Sequence, residues 1–119
     1  MKSELAPRAE IRDVVVPIIG PRDVLLRIKA VAICGSYVHI YQSSPTMMSI
    51  AHLPLIFGHE ACGEVVEVGK QVTRLNLGDL VAVETHIPCG VCHQCQTGGQ
   101  HVCERIVIFG VQTDGAFAE

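Results

Sequence analysis

The chain has 119 residues and a formal net charge of −3, a length that allows one domain with one hydrophobic core. The slightly acidic balance and the scatter of the nine Lys and Arg residues exclude a typical nucleic-acid-binding protein. No apolar run reaches the length of about 18 residues that a membrane span needs, and residues 1–5 lead into no signal-peptide stretch. Six cysteines without such a signal predict a cytoplasmic location.

The apolar part of the chain is rich in Val and Ile, with no Trp, two Tyr and three Phe. Branching at Cβ favours strands, and Gly or Pro turn signals separate the apolar runs. The predicted strands span residues 11–16, 24–33, 63–68, 80–85 and 115–119, and one short helix is predicted at 35–42. The second strand carries long side chains on both faces, as a barrel stave does. The sequence therefore predicts a mainly β fold, a partly open β-barrel with few short helices.

Two loops at predicted strand ends carry metal-binding side chains. Cys34 follows the second strand, and His59 and Glu60 precede the third. If these ends meet, a thiolate, an imidazole and a carboxylate converge. A catalytic zinc takes three protein ligands and keeps one open position, and Cys34, His59 and Glu60, or a ligand beyond this chain in place of one of them, would supply the three. Alternatively, Cys34 is a small core residue and His59 caps a turn.

Four further cysteines lie within fifteen residues: Cys89, Cys92, Cys95 and Cys103. Two overlapping C-x2-C steps followed by a fourth cysteine are typical of a tetrahedral zinc site. Four thiolates leave no open position, so residues 88–103 are predicted to form a structural zinc lobe. The alternatives are one or two disulfides, or four unrelated buried thiols.

Three motifs in series precede this lobe: Cys34-Gly35-Ser36-x-x-His39, Gly58-His59-Glu60-x-x-Gly63 and Gly78-Asp79-x-Val81. In order and spacing, from about residue 9 to residue 119, the chain resembles the catalytic domain of the zinc-dependent medium-chain alcohol dehydrogenases. The resemblance implies a GroES-like partly open barrel. Within that family, residues 38–41 and 84–90 are most similar to L-threonine 3-dehydrogenases, and next to sorbitol-type polyol dehydrogenases.

The resemblance also implies roles for single residues. Cys34 and His59 would be ligands of a catalytic zinc, and Glu60 an adjacent ligand or a neighbouring carboxylate. Zinc would polarise the hydroxyl of a small alcohol, whose hydride would pass to NAD(P). Ser36 would take the hydroxyl proton and His39 would pass it to solvent, although His39 could equally be a solvated surface residue. His86 would edge the substrate cleft or serve as a turn residue.

The sequence departs from the family in two respects. Family members continue into a Rossmann domain, whereas no G-x-G-x-x-G occurs here, so residues 1–119 are expected to be a GroES-like domain truncated before the cofactor domain and inactive alone. The alternative function is a stand-alone zinc-binding module without enzymatic activity, able to form homo-oligomers through exposed barrel edges.

The second departure is Tyr37, where the family motif has Asp. That carboxylate normally accepts a hydrogen bond from the zinc-binding histidine. Loss of such a partner typically costs about 10–100-fold in metal affinity or activity. The catalytic zinc site is therefore expected to be weaker than the structural one.

Overall fold

A computed structural model describes all 119 residues of the chain. The elements in chain order are β1 (Val24–Val31), α1 (Gly35–Tyr41), α2 (Pro45–Met48), β2 (Ala61–Val68), β3 (Leu80–Ala82), β4 (His86–Ile87), α3 (His93–Gln96), a 3-10 turn (Gln100–Val102) and β5 (Val107–Ile108). The strands form two open antiparallel sheets, one in the order β1–β2–β3 and one made of β4 and β5. The predicted mainly β fold with few short helices is confirmed. No helix is long and apolar enough to cross a membrane.

The pairing of β1 with β2 forms most of the larger sheet. Its register runs from Val24 opposite Val68 to Val31 opposite Ala61. The register shifts by one residue at two places in β1, between Leu25 and Leu26 and between Ile28 and Ala30. Gly63 is needed in this pair because a Cβ there would lie 2.8 Å from the Arg27 carbonyl oxygen. The antiparallel register brings the end of β1 beside the start of β2, the two places where candidate ligands were predicted.

The main core lies between α1 and the loops that follow it. Its buried members are Tyr37, Ile40, Leu55, Phe57 and Val111. Helix α1 contributes the first two, which are three residues apart and therefore share one helix face. The core thus fixes the helix that begins immediately after Cys34.

Lys2 is a buried charged residue at the edge of this core, with 0% of its surface exposed. Its backbone N–H and carbonyl pair with Leu55, and its Nζ donates to the carbonyl oxygens of Ala6 and Tyr41. Burial lowers the pKa of Lys2. Residue 2 therefore ties the start of the chain to the end of α1.

Two predicted strands were wrong. Residues 11–16 form no strand, and their apolar side chains stay in solvent, Ile11 fully and Val15 at 90%. No neighbouring strand pairs with this segment, and an unpaired strand leaves its backbone groups without partners. Residues 115–119 also form no ladder, because Gly115, Ala116 and Phe117 donate instead to the carbonyls of the 56–58 loop.

The other predicted elements have shifted ends. The strands predicted at 24–33 and 80–85 stop at Val31 and Ala82, and β2 begins two residues before the predicted 63. The helix predicted at 35–42 ends at Tyr41. Helices α2 and α3 and strands β4 and β5 have four residues or fewer and were not predicted.

Candidate metal centres

The first cluster consists of Cys34, His59 and Glu60, whose ligand atoms all lie within 4.8 Å of one another. Cys34 is the residue that precedes α1, and the other two lead into β2. The Ala32 N–H donates to the Glu60 carbonyl at 2.9 Å, which extends the β1–β2 pairing to the two loops. The sheet register therefore brings Cys34 close to His59 and Glu60, which lie 25 and 26 positions later in the sequence.

His59 is half-buried, and its Nδ1 is buried without a hydrogen-bond partner. Its ring lies 4.5 Å from the Tyr37 ring, with 36° between the planes. Burial lowers the pKa of His59, which favours the neutral imidazole that binds metals. Tyr37 thus contacts His59 through its ring and not through a hydrogen bond.

The Tyr37 hydroxyl is likewise buried without a partner. Burial raises the pKa of Tyr37 to about 12, so the phenol is neutral. The ring also packs against Phe57 and Phe117, at centroid distances of 5.5 and 5.4 Å. Residue 37 therefore supplies an aromatic surface where the family pattern has a carboxylate.

The two predicted proton-transfer residues lie on α1. Ser36 Oγ is 3.5 Å from Cys34 Sγ, so the hydroxyl borders the cluster. His39 lies on the same helix but is exposed, and no hydrogen bond joins it to Ser36. The structure brings Ser36 to the cluster and leaves His39 at the surface.

An open cleft of about 480 Å³ adjoins this cluster and is lined by His59, Glu60 and residues 83–86. His86 Nδ1 lies 2.6 Å from Glu84 Oε1, and this hydrogen bond lowers the pKa of Glu84. His86 thus edges the cleft. Glu84 was not singled out from the sequence, although its spacing of two from His86 in an extended segment indicates a shared side.

The second cluster consists of the four lobe cysteines, whose sulfurs also lie within 4.8 Å of one another. Cys92 precedes α3, Cys95 lies on it and Cys103 follows the 3-10 turn. Gly90 and Gly98 have φ of 74° and 90°, values that suit glycine at the turns between the ligands. Cys89 is half-buried and the other three cysteines are buried.

The sulfur spacing in the lobe fits zinc. Cys92 Sγ lies 3.5 Å from Cys95 Sγ and 3.8 Å from Cys103 Sγ. A tetrahedral shell with Zn–S bonds of about 2.3 Å has sulfur–sulfur edges of about 3.8 Å. All six cysteines are free thiols, so the lobe is arranged for a metal and not cross-linked by disulfides.

Hydrogen-bond donors surround two of the lobe sulfurs. The backbone N–H groups of Cys89 and Arg105 each donate to Cys103 Sγ at 3.3 Å. The Arg105 guanidinium donates to Cys89 Sγ at 3.5 Å. Backbone N–H groups, that of Val91 first, lower the pKa of Cys89. These donors favour thiolates, the form in which cysteine binds a metal.

Comparisons with known proteins show the family of the chain. Residues 20–119 match the family described as the alcohol dehydrogenase GroES-like domain. The chain is 49% identical over 118 residues to an L-threonine 3-dehydrogenase of Symbiobacterium thermophilum, and 50% identical over 119 residues to one of Pyrococcus abyssi. These alignments cover 99% and 100% of the chain and 34% of each relative.

A solved structure shows the same fold. The cobalt- and zinc-bound thermostable alcohol dehydrogenase of Pyrobaculum aerophilum matches with a TM-score of 0.86 and 30% identity, over 99% of this chain and 36% of that one. The chain spans about a third of the length of the curated relatives it matches. The resemblance stated from the motifs is thus confirmed, and the chain belongs to the alcohol dehydrogenase GroES-like domain family.

Proposed function

We propose that residues 1–119 are the catalytic-domain portion of a zinc-dependent, NAD(P)-linked dehydrogenase of a small alcohol, threonine in preference to a polyol. The observation that carries the proposal is the convergence of Cys34, His59 and Glu60 beside an open cleft. The similarity to L-threonine 3-dehydrogenases favours threonine. The free thiols favour a reducing cytoplasm.

Two zinc ions would have different roles. The four lobe cysteines would hold a structural ion with a closed shell, and Cys34, His59 and Glu60 would hold the catalytic ion. Bound there, zinc supplies Lewis-acid polarisation of the substrate hydroxyl. The neutral His59 imidazole and the exposed Glu60 carboxylate suit this donor set.

The remaining roles fall to residues around the cleft. Ser36 Oγ, beside Cys34, would accept the substrate hydroxyl proton, and the exposed His39 would deliver it to bulk water. The two do not hydrogen-bond in the free chain, so the relay would require substrate or water between them. His86, held by Glu84, would line the substrate side of the cleft.

The second candidate is a zinc-binding module without enzymatic activity. The observation that favours it is Tyr37, which leaves His59 Nδ1 without a hydrogen-bond partner. An unoriented imidazole binds metal more weakly. The two candidates differ in whether the first cluster binds zinc at all.

Metal analysis of the purified chain tests the proposal. We expect about one tightly held zinc per chain in the lobe, plus a second, weaker and substoichiometric one. Cys34→Ser should abolish only the weaker site, and Cys95→Ser only the tight one. Removing the tight ion with a strong chelator should loosen residues 88–103 and spare the β1–β2–β3 sheet, which hydrogen exchange resolves.

The outcomes separate the parts of the proposal. Metal-free protein with the lobe cysteines in disulfides would overturn the structural zinc. One zinc per chain that Cys34→Ser leaves unchanged, even at excess zinc, would overturn the catalytic site and support the module.

A further inference from the structure

The zinc lobe is uneven in its protection from solvent. Cys92, Cys95 and Cys103 are 6–7% exposed, whereas Cys89 is only half-buried. Water, acid, chelators and alkylating reagents can therefore reach Cys89 Sγ first. A contact that shields Cys89 Sγ would therefore shield the most accessible of the four sulfurs.

One cationic side chain lies at that point. The Arg105 Nη2 donates to Cys89 Sγ at 3.5 Å, and the Arg105 backbone N–H donates to Cys103 Sγ at 3.3 Å. The guanidinium forms no ion pair with a carboxylate, so its charge faces the sulfur without a competing anion. A single residue thus contacts the first and the last of the four ligands.

Electrostatics gives this contact a consequence. Four thiolates around a divalent ion would leave two negative charges uncompensated, and a cation beside one of the sulfurs would offset part of that excess. A guanidinium is protonated at all pH values of interest and can only donate. Its contact holds Cys89 Sγ by a hydrogen bond and places a permanent positive charge beside it, with an electrostatic effect limited by solvent because Arg105 is exposed.

We propose that Arg105 is a positioning residue that keeps the Cys89 thiolate in the metal site and sets how fast the lobe loses zinc. The inference rests on the structural zinc proposed above, and it assigns a role to a residue outside the four-cysteine pattern.

The test measures zinc transfer from the lobe to a chromogenic chelator under excess chelator. The Cys34→Ser background leaves the lobe as the only source of zinc. Arg105→Gln should release zinc about 10-fold faster, at the lower end of the range of about 10–100 known for outer partners of metal ligands. Arg105→Lys keeps the charge without the planar fork and should fall between the parent and Arg105→Gln. The matched control is Arg74→Gln, which changes an exposed arginine that forms no ion pair and should not change the rate.

A second readout separates positioning of one sulfur from general loosening of the lobe. Alkylation by iodoacetamide, mapped by peptide mass spectrometry, should accelerate at Cys89 alone in Arg105→Gln. Equal release rates in the parent and Arg105→Gln would overturn the proposal, and so would equal acceleration at all four cysteines. If the parent holds no zinc, the structural-zinc proposal fails and this inference fails with it, whereas zinc that the parent and Arg105→Gln release equally fast overturns this inference alone.

Discussion

Tyr37 is the departure from the family motif that lies at the candidate catalytic site. Its ring lies against the ring of His59. Position 37 is therefore close enough for the Asp of the family motif to reach this histidine. The contact is aromatic, however, and both His59 Nδ1 and the Tyr37 hydroxyl lack partners. Tyr at position 37 therefore keeps a side chain in contact with the imidazole but does not supply a hydrogen-bond acceptor for it.

Restoring the carboxylate should strengthen the second metal site. We expect Tyr37→Asp to raise its zinc affinity by roughly 10–100-fold, because Asp can accept the hydrogen bond that orients His59. Tyr37→Phe, which keeps the ring packing, should leave the affinity unchanged. Competitive chelator titration of the folded fraction measures both, with the lobe zinc as internal reference.

Stability must be followed in the same experiment. Tyr37 packs with Phe57 and Phe117, and loss of a buried aromatic ring typically costs about 3–5 kcal/mol. Equal second-site affinity in folded Tyr37→Asp and parent chains would show that residue 37 does not tune His59.

The sequence identified some site residues and missed others for a physical reason. The spacing of the lobe cysteines predicts that their sulfurs converge, whereas the pairing of Cys34 with His59 came from the family resemblance. Arg105 and Glu84 are common surface residues whose roles depend on which atom they reach in space. No local pattern encodes such a contact.

At the scale of elements, an ion pair joins the two longest strands. Lys29 Nζ lies 2.9 Å from Glu64 Oε2, across the irregular part of the β1–β2 ladder. The hydrogen bond from Lys29 holds the pKa of Glu64 below its ordinary value of 4.5. A depressed carboxyl pKa stabilises the folded state above pH 4.5, and this contribution is lost as pH falls through the folded pKa.

Urea unfolding between about pH 6 and pH 3 tests this pair. The parent should lose more stability on acidification than Glu64→Gln, and Lys29→Met should resemble Glu64→Gln, because either change removes the interaction. Metal loss at low pH affects all three chains, so the difference between chains is the quantity to compare. Parallel pH profiles for parent and Glu64→Gln would show that the pair contributes nothing.

Among the strands that the sequence predicted, those that have a partner strand are present in the structure and the other two are not. Residues 11–16 have the β-branched composition of a strand, but composition cannot reveal that no strand lies beside them. Segment 115–119 has a partner loop at 56–58, yet close approaches of Gly58, Gly110 and Gly115 replace a regular ladder. Elements of two to four residues, such as β4 and α3, are shorter than the period that sequence patterns need.

At the scale of the whole molecule, it is testable whether these 119 residues, which carry the candidate metal sites, also bind the nicotinamide cofactor. The 119 residues contain no G-x-G-x-x-G turn, and a pyrophosphate needs such a loop at a helix N-terminus. Helix α1, the longest, has seven residues and follows Cys34 without a glycine-rich loop.

We therefore expect this chain alone to show no saturable NAD(P) binding by calorimetric titration and no oxidation of threonine or sorbitol in a hydride-transfer assay. A matched control is the same chain loaded with excess zinc, which separates a missing metal from a missing cofactor site. Micromolar NAD(P) binding by either sample would contradict this expectation.

The sulfur spacing of the lobe also makes metal loss hard to reverse in air. Cys92 Sγ lies 3.5 Å from Cys95 Sγ and 3.8 Å from Cys103 Sγ, so loss of an ion from the lobe would leave three thiols close together. Only a small movement then separates these thiols from a covalent bond of about 2.05 Å. A chain oxidised in this way cannot take zinc back from a zinc salt until a thiol reductant opens the bond. Bound zinc would thus protect the cysteines that bind it from oxidation, and loss of zinc followed by oxidation would not be reversed by adding zinc alone.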